Sequence, residues 1–326
     1  MERVEGCLFC GGTRLVPIAT ARYWTVVPLA YEECAACGLV FCNPMPGLDI
    51  IIEGNRALDI LQPTRGTFTQ YHGGWDFAAW LRKFKSSGTL LDIGCAQGFF
   101  IKGVEENSAW RAEGLDILDS AVGFARSRLG LTVHHGTLDA FAGGAPRYDM
   151  LRMNNVIEHV QDPRRFLAMS HALLKPGGRV YCSTPNGIQD GAVLRTANRR
   201  GYEMNLLENH FHLYRPATLR RIFEACGFRV RRHYLQDISH TLSDFGVLPG
   251  LRPPDFREEH SLEYFRDKRA PEFVISDEEI RSYHSRLASN ETMRRMMSAV
   301  KKGLNLRLPA SARIGHQQYL YAEKSA

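Results

Sequence analysis

The amino-acid sequence predicts an α/β chain: a doubly wound parallel sheet, a small cysteine-bearing module in front of it, and a helical insertion before its last strand. Three observations predict it. Between about residues 87 and 236, short apolar runs alternate with stretches of helical periodicity, the pattern of repeated strand–helix–strand units. The first run enters its helix through a glycine-bearing turn, Asp92-Ile93-Gly94-Cys95-Ala96-Gln97-Gly98. Ahead of both, two Cys-x-x-Cys pairs stand close to the N-terminus.

The elements follow in order. Residues 1–48 are rich in Cys and Gly and end in the turn-forming Asn43-Pro44-Met45-Pro46-Gly47. Residues 49–86 form a helical lead-in, with Trp75, Phe77, Trp80, Leu81 and Phe84 at helical spacing. The sheet unit spans 87–236. Its first strand is 89–93, followed by a helix carrying Phe99, Phe100 and Val104. A second strand is expected at 112–117, then a helix over 120–129 with Val122, Ala125 and Leu129 inward. Strands at 132–135 and 148–153 come next. A helix over 164–174 is stopped by Lys175-Pro176-Gly177-Gly178, and a fifth strand follows at 179–184. A helix over 217–226, ended by Gly227, leads to a sixth strand at 228–234. Right-handed crossovers make such a sheet parallel, and its ligand belongs at the strands' C-terminal ends. Residues 237–312 read as a helical insertion or lid, opened by the capping box Ser276-Asp277-Glu278-Glu279. Ile280, Tyr283, Leu287, Met296 and Val300 give it a packing stripe. Residues 313–326 supply the final strand through Gln317-Gln318-Tyr319-Leu320-Tyr321-Ala322.

Composition excludes several classes. No apolar run is long enough to span a membrane. The first six residues are charged and lack the apolar stretch of a secretory signal, so a cytoplasmic protein is expected. Lys and Arg outnumber Asp and Glu by 41 to 35, and the whole excess falls after residue 186. That surplus reads either as a solvated basic face or as a site for an anionic small molecule. No long basic run with interleaved aromatics is present, which argues against a nucleic-acid groove.

The turn after the first strand is a ligand loop. Gly94 and Gly98 lack Cβ atoms and let the backbone turn tightly. The helix that follows presents unpaired N–H groups suited to a carboxylate. Asp116 closes the next strand, where it can accept hydrogen bonds from both hydroxyls of a ribose. A dinucleotide site would want Gly-x-Gly-x-x-Gly, and residue 96 is Ala. The stretch 90–98 instead resembles the first motif of class I S-adenosylmethionine (SAM)-dependent methyltransferases, with Ala96 at the place of the usual middle glycine. The resemblance continues through Gly114-Leu115-Asp116-Ile117, Gly136-Thr137-Leu138, the segment from Tyr148 through Asn154-Asn155-Val156-Ile157-Glu158-His159-Val160, and Leu173-Leu174-Lys175-Pro176-Gly177-Gly178. It covers about residues 88–236 and implies a Rossmann-like core. It also implies a SAM site formed by Asp92, Gly94, Cys95, Ala96, Gly98 and Phe99, with Asp116 and Ile117 at the ribose. Thr137 and Leu138 would lie at the adenine, and Asn154 and Asn155 after the fourth strand.

Cys7-Leu8-Phe9-Cys10 and Cys34-Ala35-Ala36-Cys37 are separated by 23 residues, and each pair is followed by Gly. Four thiolates at about 2.3 Å fill a tetrahedral Zn²⁺ shell, so Cys7, Cys10, Cys34 and Cys37 predict a structural zinc in a zinc-ribbon-like module. This head, with Gly38-Leu39-Val40-Phe41-Cys42-Asn43-Pro44 after it, is similar to bacterial SAM methyltransferases acting on sugars and natural products. That resemblance implies a small-molecule acceptor methylated on O or C.

Such chemistry needs a base of near-neutral pKa for a hydroxyl or carbon acid. His159, beside Glu158, and His210 and His212 are the candidates, with His210 first and Tyr214 as a positioning group. Ubiquinone-pathway O-methyltransferases carry a similar Val-Ile-Glu-His stretch preceded by an acid that helps hold a divalent ion. Asn155 stands at that acid's place, so no catalytic metal is expected. Two alternatives stay open: an RNA or protein methyltransferase that uses the zinc head for recognition, and a nicotinamide-dependent oxidoreductase. The oligomeric state is open, a homo-oligomer included.

Overall fold

The computed structural model describes residues 3–24, 26–61, 67–141, 144–206, 210–237, 307–312 and 315–325, with Glu278 and Ser282 between. Most of the insertion, including Ile280, Tyr283, Leu287, Met296 and Val300, lies outside the described residues.

The central sheet has eight strands. β4 (Thr89–Ile93), β5 (Arg111–Asp116), β6 (Val133–His135), β7 (Tyr148–Asn154) and β8 (Leu174–Pro185) pair in parallel in the order β8-β7-β4-β5-β6. Beyond β8 come β13 (Gln317–Lys324), β11 (Phe228–Gln236) and the short β12 (Leu308–Pro309). The expected parallel sheet needs one correction, because β13 runs antiparallel to both of its neighbours, β8 and β11. A two-residue side-chain period is the same in either direction, so sequence pattern is blind to strand polarity.

That period sorts the core. Leu90, Ala112 and Met150 face one side, against the helices α2 (Thr67–Phe84), α3 (Phe99–Glu105) and α4 (Asp119–Leu129). Leu91, Ile93, Leu115, Leu151 and Met153 face the other, where α5 (Pro163–Leu173) and α7 (Pro216–Ala225) contribute Leu167, Leu173, Leu219, Ile222 and Phe223. α5 starts where its sequence says it should: Pro163 sits in the first turn, and the Asp162 carboxylate accepts the Arg165 N–H at 2.9 Å.

A second sheet lies at the front of the chain. β1 (Leu15–Tyr23), β2 (Val27–Cys34) and β3 (Val40–Cys42) form an antiparallel meander. It is completed by two strands from far along the chain, in the order β10-β3-β2-β1-β9, where β9 is Met204–Leu206 and β10 is His212–Leu213. The strands of residues 1–48 therefore share their sheet with β9 and β10, which lie between β8 and β11 in the sequence. The reason is size: three short strands bury too little apolar surface alone. Two helices cover this sheet, α1 (Leu48–Leu61) and α6 (Gly187–Arg199). The Asn186 side chain caps α6 by accepting the Ile188 N–H. Both Cys pairs share a core cluster with the central sheet: Cys7, Phe9, Cys34, Cys37 and Leu39 pack with Tyr214, Leu219 and Ile222.

Behind the ligand loop, Asp92 is fully buried and pairs with Arg152 at 2.6 Å, and the guanidinium lies 3.6 Å from the centre of the Phe100 ring. Burial raises the Asp92 pKa from 3.8 to about 6, although Arg152 pulls it down. The native state thus holds this proton more tightly than the unfolded chain. Stability should fall as pH rises from 3.8 to about 6 and be level above that. Urea denaturation across this window should show the decline in the wild type and a flatter profile in Asp92→Asn.

Candidate active site

A cavity of about 430 Å³ opens at the C-terminal ends of β4, β5 and β7. Gly94, Ala96, Asp116 and Ile117 form its floor. Gly136, Thr137 and Leu138 close one end. Asn155, Val156, His159 and Val160 form the side after β7. α1 supplies a roof of Leu48, Ile51, Asn55 and Leu58, and α5 supplies Arg165, Phe166 and Met169.

The loop's shape follows from local chemistry. Gly94 has φ +70°, and a Cβ there would stand 2.6 Å from Val156 Cγ2, so the position tolerates no side chain. Ala96 also has φ +48°, a left-handed conformation that costs a residue with a Cβ about 1–2 kcal/mol. Its amide compensates by donating to the Asp116 carboxylate at 2.8 Å, while the other carboxylate oxygen accepts the Leu118 N–H at 2.9 Å. Burial raises the Asp116 pKa and these amides oppose the rise. The carboxylate is thus held at one end of the cavity floor by two backbone donors.

Of the residues expected at the cofactor, Gly94, Ala96, Asp116, Ile117, Thr137, Leu138 and Asn155 line the cavity. The others support it from behind. Asp92 serves the Arg152 pair, and Cys95 and Phe99 are buried in the core. Gly98 caps α3 at φ +82°. Asn154 accepts a hydrogen bond from the Ser183 hydroxyl at 2.7 Å. Sequence reasoning missed the contributions of α1 and α5. Both helices were visible in the pattern, but which face meets a ligand depends on where they dock.

At the cavity's edge, Glu158, His159 and His210 converge, with one ligand atom of each within 4.8 Å of the others. The short helical turn 157–159 carries the first two. The third is brought in because the Phe211 amide donates to the Glu158 carbonyl at 3.0 Å and the Tyr31 hydroxyl donates to the His210 carbonyl at 2.8 Å. Glu158 is buried; one carboxylate oxygen accepts from Thr184 Oγ1 at 2.8 Å. The other has no hydrogen-bond partner among the described residues, and His159 Nε2 stands 3.8 Å from it. His210 Nδ1 lies 3.8 Å from Asp190, an acid not anticipated from sequence.

His212 and Tyr214 do not reach this edge. His212 is 1% exposed and stacks between Phe41 and Tyr214, and burial lowers its pKa to about 3. The Tyr214 hydroxyl is buried and donates to the Ile157 carbonyl. Both are core groups rather than acceptor contacts.

The four front cysteines meet as expected. Cys7 and Cys37 Sγ are 3.5 Å apart, Cys10 and Cys34 Sγ 3.6 Å, and all four thiols are free and within 4.8 Å of one another. Legs of about 2.3 Å on a tetrahedral ion place sulfurs about 3.8 Å apart, so the donor set fits Zn²⁺.

Residues 74–233 match the family described as "Methyltransferase domain". A ubiquinone biosynthesis O-methyltransferase of Coxiella burnetii (strain RSA 331 / Henzerling II) is 29% identical over 150 residues, covering 43% of this chain and 63% of the relative. One from Ruegeria pomeroyi is 37% identical over 102 residues, 30% of this chain and 41% of that one. The chain thus spans less than two thirds of the length of these relatives. Among solved structures, a SAM-dependent methyltransferase from Thermotoga maritima aligns over 85% of this chain and 99% of its own, at 13% identity and a TM-score of 0.49. One from Archaeoglobus fulgidus aligns over 76% and 93%, at 19% identity and a TM-score of 0.41.

The left-handed Ala96 yields a prediction. Ala96→Gly should raise the free energy of unfolding by roughly 0.5–1 kcal/mol in urea denaturation, and an unchanged midpoint would mean the turn carries no strain. With the glycine-bearing turn, the carboxylate at the end of β5 and the family match in agreement, residues 74–233 are a methyltransferase domain.

Proposed function

We propose that this protein moves a methyl group from SAM to an oxygen or carbon atom of a small molecule, a sugar or natural-product intermediate. One observation carries the reading. The Asp116 carboxylate and the Gly94–Ala96 turn face a single cavity of about 430 Å³, roofed by α1. Bound there, SAM supplies an electrophilic methyl carbon on a sulfonium. Asp116 would take the ribose hydroxyls, and the turn's backbone would pass the methionine part. Leu118, Leu138, Phe166 and Met169 offer apolar contact to a base.

Displacement at a methyl carbon asks the protein mainly for alignment. The Glu158–His159–His210 cluster is placed to ready the acceptor, because His159 opens on the cavity and the other two touch its surroundings. The relatives are named O-methyltransferases, which favours oxygen over carbon as the receiving atom. The likeness of the front module to sugar and natural-product enzymes supports the acceptor class. In that module, Cys7, Cys10, Cys34 and Cys37 would hold Zn²⁺. Its position against Leu219 and Ile222 suits a structural ion that ties the front sheet to the central one.

Asp116→Ala should weaken SAM binding at least about tenfold by calorimetry and leave the far-ultraviolet circular dichroism unchanged; undiminished binding would overturn the ribose assignment. Incubation of the protein with deuterated SAM and a pool of hydroxylated metabolites, read by mass spectrometry, should show a labelled methyl on a small molecule. Metal analysis should find one zinc per chain, lost in Cys34→Ser together with several kcal/mol of stability, on the order of that from a structural zinc.

A further inference from the structure

The cluster at the cavity's edge has the make-up of a metal site. Two imidazoles and one carboxylate meet there, a donor set that binds first-row divalent ions and leaves coordination positions open. Glu158 is 1% exposed, yet one of its oxygens accepts no hydrogen bond among the described residues. A buried polar atom left this way is costly unless something else satisfies it. Its partner oxygen is fixed by Thr184 Oγ1 at 2.8 Å, which aims the bare oxygen toward His159 Nε2. Such hydrogen bonds to a ligating carboxylate are what holds a metal ligand in place. Asp190 beside His210 adds negative charge that favours a cation.

The histidines are partly exposed and the carboxylate is not. The His159 and His210 side chains are 24% and 21% exposed, against 1% for Glu158. Ligand atoms on an ion with bonds of about 2.0–2.2 Å stand about 3 Å apart, so modest ring rotations from the present separation suffice. Asn155, at the place where ubiquinone-pathway enzymes have an acid, accepts a hydrogen bond from Gln317 Nε2 at 2.5 Å. The third donor here comes instead from His210, on the loop before β10.

We propose that Glu158, His159 and His210 bind a divalent first-row transition-metal ion whose open positions face the cavity and take an oxygen of the acceptor. This acceptor role rests on the proposed function; the ion site itself does not. An acceptor bound this way carries a hydroxyl, and a second oxygen beside it would chelate.

The probe is Mn²⁺ titrated into the full chain and followed by the loss of the free-ion electron paramagnetic resonance signal. Mn²⁺ prefers oxygen and nitrogen donors and does not compete for four thiolates. The wild type should bind one Mn²⁺. Glu158→Gln and His210→Ala should each weaken it at least about tenfold, with SAM affinity kept within about twofold. His210→Ala, at a partly exposed position, covers the case in which Glu158→Gln does not fold. Asp116→Ala should retain Mn²⁺ and lose SAM, so failure of the ion site and failure of the SAM site are read separately. No bound Mn²⁺ in the wild type at about 1 mM, a concentration well above that of ordinary transition-metal sites, would overturn the proposal. Equal binding in both cluster variants would do the same.

Discussion

The hydrogen bond from the Ala96 amide to the Asp116 carboxylate is the constraint on which the site depends. It ties the turn after β4 to the end of β5, its parallel neighbour in the sheet. With that tie, a left-handed alanine is held where a glycine would relax, and the carboxylate is oriented by protein amides before any ligand arrives. Val156 presses from the other side, which is why residue 94 has no room for a side chain. The floor of the cavity is therefore preorganised by the ends of three neighbouring parallel strands.

Interleaving of the two sheets does the rest. The chain leaves the central sheet after β8, forms α6, contributes β9 and β10 to the front sheet, and returns through α7. This excursion puts His210 against Glu158 and packs the cysteine knuckles on the same apolar cluster as β7 and α7. The front module is thus part of the wall behind the site. α1, which continues from it, roofs the cavity. The cavity is thus bounded by α1, which covers the front sheet, and by the ends of β4, β5 and β7 in the central one.

Much of the fold was legible because its signals are local. Alternating apolar pairs such as Leu90/Leu91 require a strand buried on both faces, and α5 ends at Leu173, just before the Lys175-Pro176-Gly177-Gly178 stretch that reads as its stop. The Cys-x-x-Cys spacing needs only a few residues of backbone to bring two thiols together. What escaped the sequence is nonlocal. β13 reads as a strand from its own residues, but its antiparallel place between β8 and β11 is a choice of hydrogen-bonding neighbours. His210 and His212 look equivalent in sequence. One meets Glu158 at the cavity's edge and the other is stacked against Phe41, and only the pairing of β10 with β3 separates them. Asp190 was invisible for the same reason, since its partner lies twenty residues away on another element.

Residue types at short spacing determined, without any structure, that a glycine-bearing turn would follow the first core strand, that an acid would close the next, and that four thiols would gather in two knuckles. Each needs only backbone geometry over a few residues. Tertiary structure alone decided which of those groups face the cavity, that Asp92 turns to Arg152 instead, and that Glu158 keeps a buried oxygen beside two histidines. Those outcomes depend on how helices and sheets dock, and docking is set by packing and desolvation summed over the whole chain.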